Sequence, residues 1–203
     1  MNRYVVFSSI LTAIILFLSN SVLGQTESAD DTVKSTTTIV IERIKAERNR
    51  IKSDPGYLYV LMDQLVVPKF DFHIMSRAVL GSAWQNATVD QQEAFQNEFK
   101  NLLIGTYATS LAEYADNQII FYPAESRPDS RFVLVRTEVK GAANNNPLPI
   151  DYRMHQVDEK WMVVDVAVDK VSLVSTYRGS FRSEINNDGL DSLIKKLAEK
   201  NKK

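Results

Sequence analysis

Hydrophobic and polar residues follow two different periods along this chain, and the first change between them falls near Asn117. Before that point, apolar residues recur every three or four positions, as in amphipathic helices. After it, apolar and polar residues alternate, which is typical of half-buried strands. Helical spacing returns after Val168. This order predicts an α+β fold, with several N-terminal helices, a curved four-stranded antiparallel sheet and C-terminal helices.

Capping residues and helix breakers set the predicted helix boundaries. Six helices are expected, at about residues 31–52, 55–65, 72–80, 88–115, 172–186 and 190–200. Asp71 can cap the third helix and Gly81 can end it, while Thr88 and Gln91 form a capping box for the fourth. Gly105 lies inside the fourth helix, where glycine costs about 1 kcal/mol relative to alanine. We therefore expect Gly105 to permit close approach by another backbone or a ligand.

The alternating region predicts strands joined by short links. They lie at about residues 119–122, 131–139, 150–156 and 161–168. Short links imply that neighbouring strands are antiparallel. In the third strand, Asp151, Arg153 and His155 alternate with apolar residues, so this strand is expected to have one solvent-exposed face.

The fourth predicted strand is apolar on both faces and runs directly into an amphipathic helix. Alternation places Trp161 and Val163 with Asp165 on one face, and Val164 and Val166 on the other. A strand of this kind needs cover on both sides. Two interpretations follow: either the strand and helix share an ordinary core, or the apolar surplus lines a cavity.

The first 24 residues resemble a secretory signal in their composition. Arg3 is the positive n-region, Val5–Leu18 is the apolar h-region, and Val22-Leu23-Gly24 offers a cleavage site. An uncleaved membrane anchor is the alternative, although the apolar run is shorter than the roughly 20 residues that span a bilayer. The expectation is an exported, freely soluble chain with one domain over residues 25–203. The chain has no cysteine, which excludes a lipid-modified cysteine and a disulfide framework.

The formal net charge of −1 argues against nucleic acid as a partner, because phosphate neutralisation needs a strong basic excess. One local excess of basic residues occurs near the C-terminus, at Lys195, Lys196, Lys200, Lys202 and Lys203. Cations at the end of a helix favour its dipole and aid solubility. A docking patch for an acidic partner or a lipid surface is the alternative.

Few residues are available for catalysis or metal binding. The two histidines, His73 and His155, lack neighbouring ligands or nucleophiles in the sequence, so we predict neither a metal site nor a cofactor. One enzyme hypothesis remains, in which burial raises the pKa of Asp165 into the range of a general acid or base and Tyr152 supplies an acidic hydroxyl. Alternatively, Asp165 caps a helix or pairs with an arginine. Exposure of Asp165, or hydrogen bonds to it from backbone amides, would contradict the enzyme hypothesis.

Three blocks of sequence carry a family resemblance through their order and spacing. They are VVPKFDFHIMSRAVLGSAWQNATVDQQEAFQNEFKNLLIGTYATSLAEY, IDYRMHQVDEKWMVVDVAVDKVSLVSTYRGSF and GLDSLIKKL. Together they resemble the MlaC family, also called the toluene-tolerance family, of periplasmic phospholipid carriers in Gram-negative bacteria. One position departs from the family pattern. The family usually has glycine before the Val-Ser pair, whereas this chain has Lys170 before Val171-Ser172.

The resemblance implies a monomeric carrier without a cofactor that moves phospholipid between an outer-membrane lipoprotein complex and an inner-membrane ABC transporter with its substrate-binding ring. Such a carrier would maintain outer-membrane lipid asymmetry. At about 0.8 kcal/mol per methylene, a chain of around 16 carbons represents roughly 13 kcal/mol of exposure to water, so the task requires an enclosed apolar pocket. A periplasmic interaction module without lipid, or an isomerase-like enzyme using Asp165, are the alternatives.

For the pocket we predict one face of the sheet and the helical residues that cover it. The sheet residues are Val133, Val135, Ile150, Tyr152, Met154, Val164 and Val166, and the covering residues are Tyr107, Leu111, Val174, Tyr177 and Phe181. Ordinary core packing is the alternative for each of them. Arg178 and Arg182 are candidates for binding the lipid phosphate at the rim through bidentate hydrogen bonds, with a solvated helix face as the alternative.

Overall fold

A computed structural model describes residues 27–126, 128–141 and 146–202, so the predicted signal segment lies outside the described residues. The described helices are α1 (Ala29–Ala46), α2 (Arg48–Ser53), α3 (Gly56–Leu65), α4 (Phe72–Leu80), α5 (Ser82–Asn86), α6 (Val89–Glu113), α7 (Leu173–Asp188) and α8 (Leu190–Asn201). The described strands are β1 (Ile119–Phe121), β2 (Glu125–Ser126), β3 (Val133–Val139), β4 (Leu148–Val157), β5 (Lys160–Val168) and β6 (Val171–Ser172). The predicted mixture of helices around an antiparallel sheet is confirmed.

The helix boundaries follow the capping signals in the sequence. Asp71 Oδ1 accepts a backbone N–H in the first turn of α4 at 2.9 Å, and α4 ends at Gly81, whose φ is 58°. Thr88 Oγ1 accepts the Gln91 N–H at 3.2 Å, and Gln91 Oε1 accepts the Thr88 N–H at 3.0 Å, which confirms the capping box. The predicted first helix is divided at Glu47 into α1 and α2.

The fourth predicted helix corresponds to α6, and its internal glycine is less crowded than expected. A Cβ added to Gly105 would lie 3.9 Å from its nearest neighbour, a ring carbon of Tyr59. That distance is an ordinary van der Waals contact. The predicted close approach of another backbone to Gly105 is therefore wrong for the described part of the chain, while the approach of a ligand stays a prediction.

The strands form one antiparallel sheet in the order β1-β3-β4-β5-β6, with β2 also paired to β3. The short strands β2 and β6 are additional to the four predicted. Two tight turns, Asp158-Glu159 and Asp169-Lys170, connect β4 to β5 and β5 to β6. All four turn residues have positive φ, which is 67° at Lys170. The turn therefore forms with lysine at the position where the family usually has glycine, in a conformation that favours glycine.

A β-bulge in β5 changes which residues share a face. Arg153 pairs with Asp165, but the next residue of β4, Met154, pairs with Val163, so Val164 is the extra residue. Simple alternation would place Val163 and Val166 on opposite faces, yet both pack in one cluster with Met154. The predicted alternation is therefore wrong on the N-terminal side of the bulge.

Buried apolar residues form three clusters. The helix cluster comprises Phe72, Met75, Val79, Leu80, Trp84, Phe95, Phe99, Leu102, Leu103, Val174, Phe181, Leu193 and Leu197. The sheet cluster comprises Ala29, Val33, Val135, Met154, Val163 and Val166. The N-terminal cluster comprises Val40, Ile44, Leu58, Leu61, Met62, Ala108 and Ala115. Two partly buried residues, Phe70 and Leu173, pack against both the helix cluster and the sheet cluster, and we call this contact the seam.

Within the described ranges, no helix combines the length and the apolar character that crossing a membrane requires.

Candidate functional site

A cavity of about 640 Å³ lies between α4, β4, β5 and α7. Its lining residues are Ile74, Arg77, Ala78, Gly81, Gln85, Arg131, Phe132, Arg153, Val164, Asp165, Val174, Ser175 and Arg178. The volume falls within the range of about 300–1,000 Å³ that is usual for small-molecule sites. Four arginines and one carboxylate give the lining a strong positive excess. We call it the arginine cavity.

Two of these arginines stack on one aromatic ring. The guanidinium carbon of Arg153 lies 4.0 Å from the ring centroid of Phe132, and that of Arg131 lies 5.0 Å from the same centroid. On α7, Arg178 Nε donates to the backbone carbonyl of Ala78 at 2.6 Å. Among the residues that the structure describes, none of the four arginines forms an ion pair with a carboxylate. Their remaining N–H groups are therefore available to an anion.

Asp165, the carboxylate in the cavity lining, acts as a helix cap. Its Oδ2 accepts the Ser172 hydroxyl at 2.6 Å, and its Oδ1 accepts the Val174 backbone N–H at 3.1 Å. Ser172 Oγ in turn accepts the Ser175 N–H at 3.0 Å, which satisfies a second donor of the first turn of α7. The bond from a backbone amide contradicts the isomerase-like hypothesis for Asp165.

The isomerase-like hypothesis needed an acidic hydroxyl from Tyr152, but the pKa of this phenol is raised. Burial raises the pKa of Tyr152 to about 12, against a smaller lowering effect of its hydrogen bond with Thr137. A phenol with a raised pKa is a poorer proton donor than an ordinary tyrosine. Its position in the sheet therefore supports packing rather than acid catalysis.

The two histidines have structural partners. His155 Nε2 lies 2.9 Å from Asp71 Oδ2, and the side chains are 11% and 18% exposed. The prediction that this face of β4 is open to solvent is therefore wrong at His155, because the start of α4 covers it. His73 packs edge-on against Trp84, with ring centroids 5.2 Å apart. Within the described ranges, neither histidine belongs to a group of residues that could hold a metal ion.

The predicted pocket residues do not all lie in one cluster. Six of the sheet residues pack in or against the sheet cluster: Val133, Val135, Ile150, Tyr152, Met154 and Val166. The bulge sends the seventh, Val164, to the arginine cavity instead. Four covering residues belong to or pack against the helix cluster: Tyr107, Val174, Tyr177 and Phe181. Leu111 packs against the N-terminal cluster. The sheet and helix groups therefore meet at the seam, through Phe70 and Leu173.

Tyr177, one of the two tyrosines among the covering residues, belongs to an aromatic group. The Tyr177 ring centroid lies 5.4 Å from that of Phe99 and 5.4 Å from that of Phe181. Burial, and secondarily the neighbouring Tyr177, raise the pKa of Tyr107 to about 12. The Tyr107 hydroxyl therefore lies at the margin of an apolar region, where its neutral form is favoured.

Of the two predicted rim arginines, Arg178 lines the arginine cavity, whereas the exposed Arg182 is not among its lining residues. Arg77, Arg131 and Arg153 were not predicted from the sequence as members of the site. Arg153 was visible as a polar residue of its strand. Arg77 lies in α4, Arg131 just before β3 and Arg153 in β4, and the packing of α4 against the sheet brings Arg77 to the same cavity as the other two.

Comparison with known proteins gives concordant matches. The family model described as MlaC protein matches residues 34–199. The toluene tolerance protein ttg2D of Pseudomonas putida is 27% identical over 167 residues, which cover 81% of this chain and 76% of that protein. The intermembrane phospholipid transport system binding protein MlaC of Haemophilus influenzae is 25% identical over 158 residues, which cover 77% and 74% of the two chains.

A solved structure has the same overall arrangement. It is the phospholipid-binding protein from Ralstonia solanacearum in complex with a phospholipid, and it is 31% identical to this chain, with a TM-score of 0.77. The alignment covers 86% of this chain and 97% of that one. Nearly the whole of the solved structure therefore has a counterpart here.

Proposed function

This chain belongs to the MlaC family, and on that premise we propose that it is a phospholipid carrier. The observation that most supports the proposal is the likeness in fold to a protein solved with a phospholipid bound, at 31% identity and over 97% of that chain. The structural roles of Asp165 and His155 agree with a carrier, since their polar groups form hydrogen bonds that hold the fold together. An acyl chain needs only apolar surroundings and protection from water.

The acyl chains are proposed to lie along the seam between the helix cluster and the sheet cluster. Phe70 and Leu173 pack against both clusters, so a small separation there would open an apolar slot between two apolar walls. Val174 belongs to the helix cluster and also lines the arginine cavity, which connects the seam region to a solvent-facing opening. The predicted pocket residues of the sheet and of the helices would then line opposite sides of the slot.

The proposed carrier works between two membranes. A cleavable signal over residues 1–24 would export it to the periplasm as one soluble domain over residues 25–203, acting as a monomer. It would exchange phospholipid with an outer-membrane lipoprotein complex and with an inner-membrane ABC transporter and its substrate-binding ring, and so maintain lipid asymmetry. The names of its relatives, which include an intermembrane phospholipid transport system and toluene tolerance, support this role.

The decisive experiment is to identify what the protein carries. The chain is expressed with its own N-terminus in a Gram-negative host, purified from the periplasm without detergent, and extracted with organic solvent for mass spectrometry. We expect diacyl phospholipid in stoichiometric amount, and transfer of fluorescent phospholipid between donor and acceptor vesicles. A lipid-free protein that transfers nothing would contradict the carrier and favour the interaction module.

A further inference from the structure

We propose that the arginine cavity binds the phosphate of the lipid headgroup and favours phospholipids with a net negative headgroup over zwitterionic ones. This inference rests on the proposed carrier function and adds a preference to it. The chemistry recognised is a phosphate ester without a neighbouring cation.

The charge of the cavity supports this preference. Arg77, Arg131, Arg153 and Arg178 face a single carboxylate, that of Asp165, whose two oxygens already accept hydrogen bonds from Ser172 and Val174. Elsewhere in the described part of the chain, two arginines pair with acids, whereas Arg43, Arg50 and Arg182 do not. Arg48 lies 2.7 Å from an Asp116 oxygen, and Arg136 lies 3.0 Å from Glu125. The distinguishing feature of the cavity is that four arginines without an acidic partner among the described residues converge on one carboxylate, and a bound anion would balance their charge.

Three of the four guanidinium groups, those of Arg131, Arg153 and Arg178, are also held in place before any ligand arrives. Phe132 supports both Arg131 and Arg153 through contacts with its ring. Arg178 Nε donates to the Ala78 carbonyl, and its two terminal NH₂ groups, which have no partner among the described residues, can make bidentate contact with a phosphate. Stacking and hydrogen bonding reduce the side-chain freedom lost on binding, so these groups form a better phosphate site than freely moving surface charges.

The position of the cavity suits a headgroup whose chains enter the seam. Val164 and Val174 are buried apolar residues of its lining, and Val174 also belongs to the helix cluster. A phosphate among the arginines would therefore have an apolar region on its inner side and water on the other. A headgroup ammonium in the same space would meet four guanidinium groups, which disfavours zwitterionic lipids.

The test measures headgroup preference directly. Lipid-free protein is incubated with vesicles of equal phosphatidylglycerol and phosphatidylethanolamine, re-isolated, and its lipid quantified by mass spectrometry. We expect roughly fivefold enrichment of phosphatidylglycerol in the natural protein, because like charges repel an ammonium in the cavity. The double variant Arg131→Gln/Arg153→Gln should carry lipid at close to the vesicle ratio. Arg131→Lys/Arg153→Lys, which keeps the charge, should retain most of the preference.

Arg182→Gln is the matched control, since Arg182 lies on α7 but is not among the lining residues of the cavity. Circular dichroism of each variant checks that the fold is intact. Two results would overturn the headgroup inference without contradicting the proposed carrier function. One is unselective lipid uptake by the natural protein, and the other is an unchanged preference in the folded glutamine variant. Failure to take up any lipid would contradict the carrier itself, and the headgroup inference with it.

A final experiment distinguishes binding of a lipid headgroup in the cavity from binding of a free phosphate ion. Lipid-free protein is titrated with inorganic phosphate and with glycerol 3-phosphate by calorimetry. Binding of either ion together with unselective lipid uptake would assign the cavity to a free anion and overturn the inference. Selective lipid uptake that neither ion suppresses at millimolar concentration would support it.

Discussion

Asp71 and His155 are 84 residues apart in the chain, and Asp71 Oδ2 lies 2.9 Å from His155 Nε2. The other oxygen of the same carboxylate accepts the Ile74 N–H and caps α4. The backbone N–H of Asp71 donates to the Val163 carbonyl at 2.9 Å. One residue therefore starts α4 and fixes it to two adjacent strands, β4 and β5, beside the arginine cavity.

Two replacements of Asp71 should distinguish the contribution of its helix cap from that of its contact with His155. Asp71→Ala removes both the cap and the partner of the mostly buried His155, and should lower the free energy of unfolding by about 2–3 kcal/mol. Asp71→Asn keeps a good capping group and should cost only about 1 kcal/mol. Urea unfolding followed by circular dichroism measures both. Equal losses in the two variants would show that the cap contributes nothing.

Lys170→Gly should stabilise the protein. Lys170 has a φ of 67° in the turn between β5 and β6, a conformation that costs a residue with a Cβ roughly 1–2 kcal/mol. Glycine removes that cost but gains freedom in the unfolded chain, so we expect a net increase of about 1 kcal/mol in the free energy of unfolding. Lys170→Ala keeps the Cβ and loses the charge, and should change little. A gain of equal size with alanine would attribute the effect to charge.

Leu173→Asn should impair lipid retention. Leu173 is the first residue of α7 and packs against both walls of the seam, so a polar side chain there would make the proposed slot less apolar. Leu190→Asn is the matched control, because Leu190 is the first residue of α8 and packs against the helix cluster. Each change should destabilise by about 1–3 kcal/mol.

Lipid that co-purifies with each of these two variants is quantified by mass spectrometry. We expect a large loss with Leu173→Asn and little loss with Leu190→Asn. Similar lipid contents in both variants would show that the acyl chains do not lie along the seam.

Gly105→Ala tests whether a ligand approaches the middle of α6. The new Cβ would lie 3.9 Å from Tyr59, so it fits, and alanine should raise the free energy of unfolding by about 1 kcal/mol. Lipid content should remain unchanged. A stable variant that has lost its lipid would show that Gly105 faces the bound ligand.

Two tyrosines give the protein a stability loss at high pH. The pKa values of Tyr107 and Tyr152 are raised from 10.0 to about 12, in both cases chiefly by burial. In the unfolded chain these phenols ionise near pH 10, whereas in the folded protein they stay neutral. Their contribution is therefore complete below pH 10 and is lost as the pH rises toward 12.

Denaturant unfolding at several pH values, with tyrosinate absorbance recorded in parallel, measures this loss. Tyr152→Phe has no ionisable group at the position, so its stability should fall less steeply between pH 10 and pH 12. An identical slope in this variant would show that Tyr152 ionises normally in the folded protein.

Local signals in the sequence were sufficient to predict most element boundaries. Asp71, Thr88 and Gly81 begin or end helices through bonds within a few residues of themselves, so the sequence contains the needed information. The bulge at Val164 is different. It arises from the pairing of β5 with β4, and no alternation within β5 alone predicts it.

The candidate site was only partly predictable for a related reason. Apolar residues of the sheet were assigned correctly to one face wherever alternation is regular, as at Val135, Tyr152 and Met154. The arginine cavity depends on helix-to-sheet packing between distant segments, which gathers Arg77 and Arg153. Exposed arginines give no periodic signal, so their convergence becomes visible only in three dimensions.

The bulge also makes β5 sensitive to its length. Val163 and Val166 pack in the sheet cluster, while the two residues between them, Val164 and Asp165, line the arginine cavity. Deleting Val164 itself would restore simple alternation with Val163 still opposite Met154, whereas inserting one more residue would exchange the apolar and polar sides of the preceding segment. This part of the strand should therefore accept a change of side chain, or loss of the bulge residue, far better than an insertion.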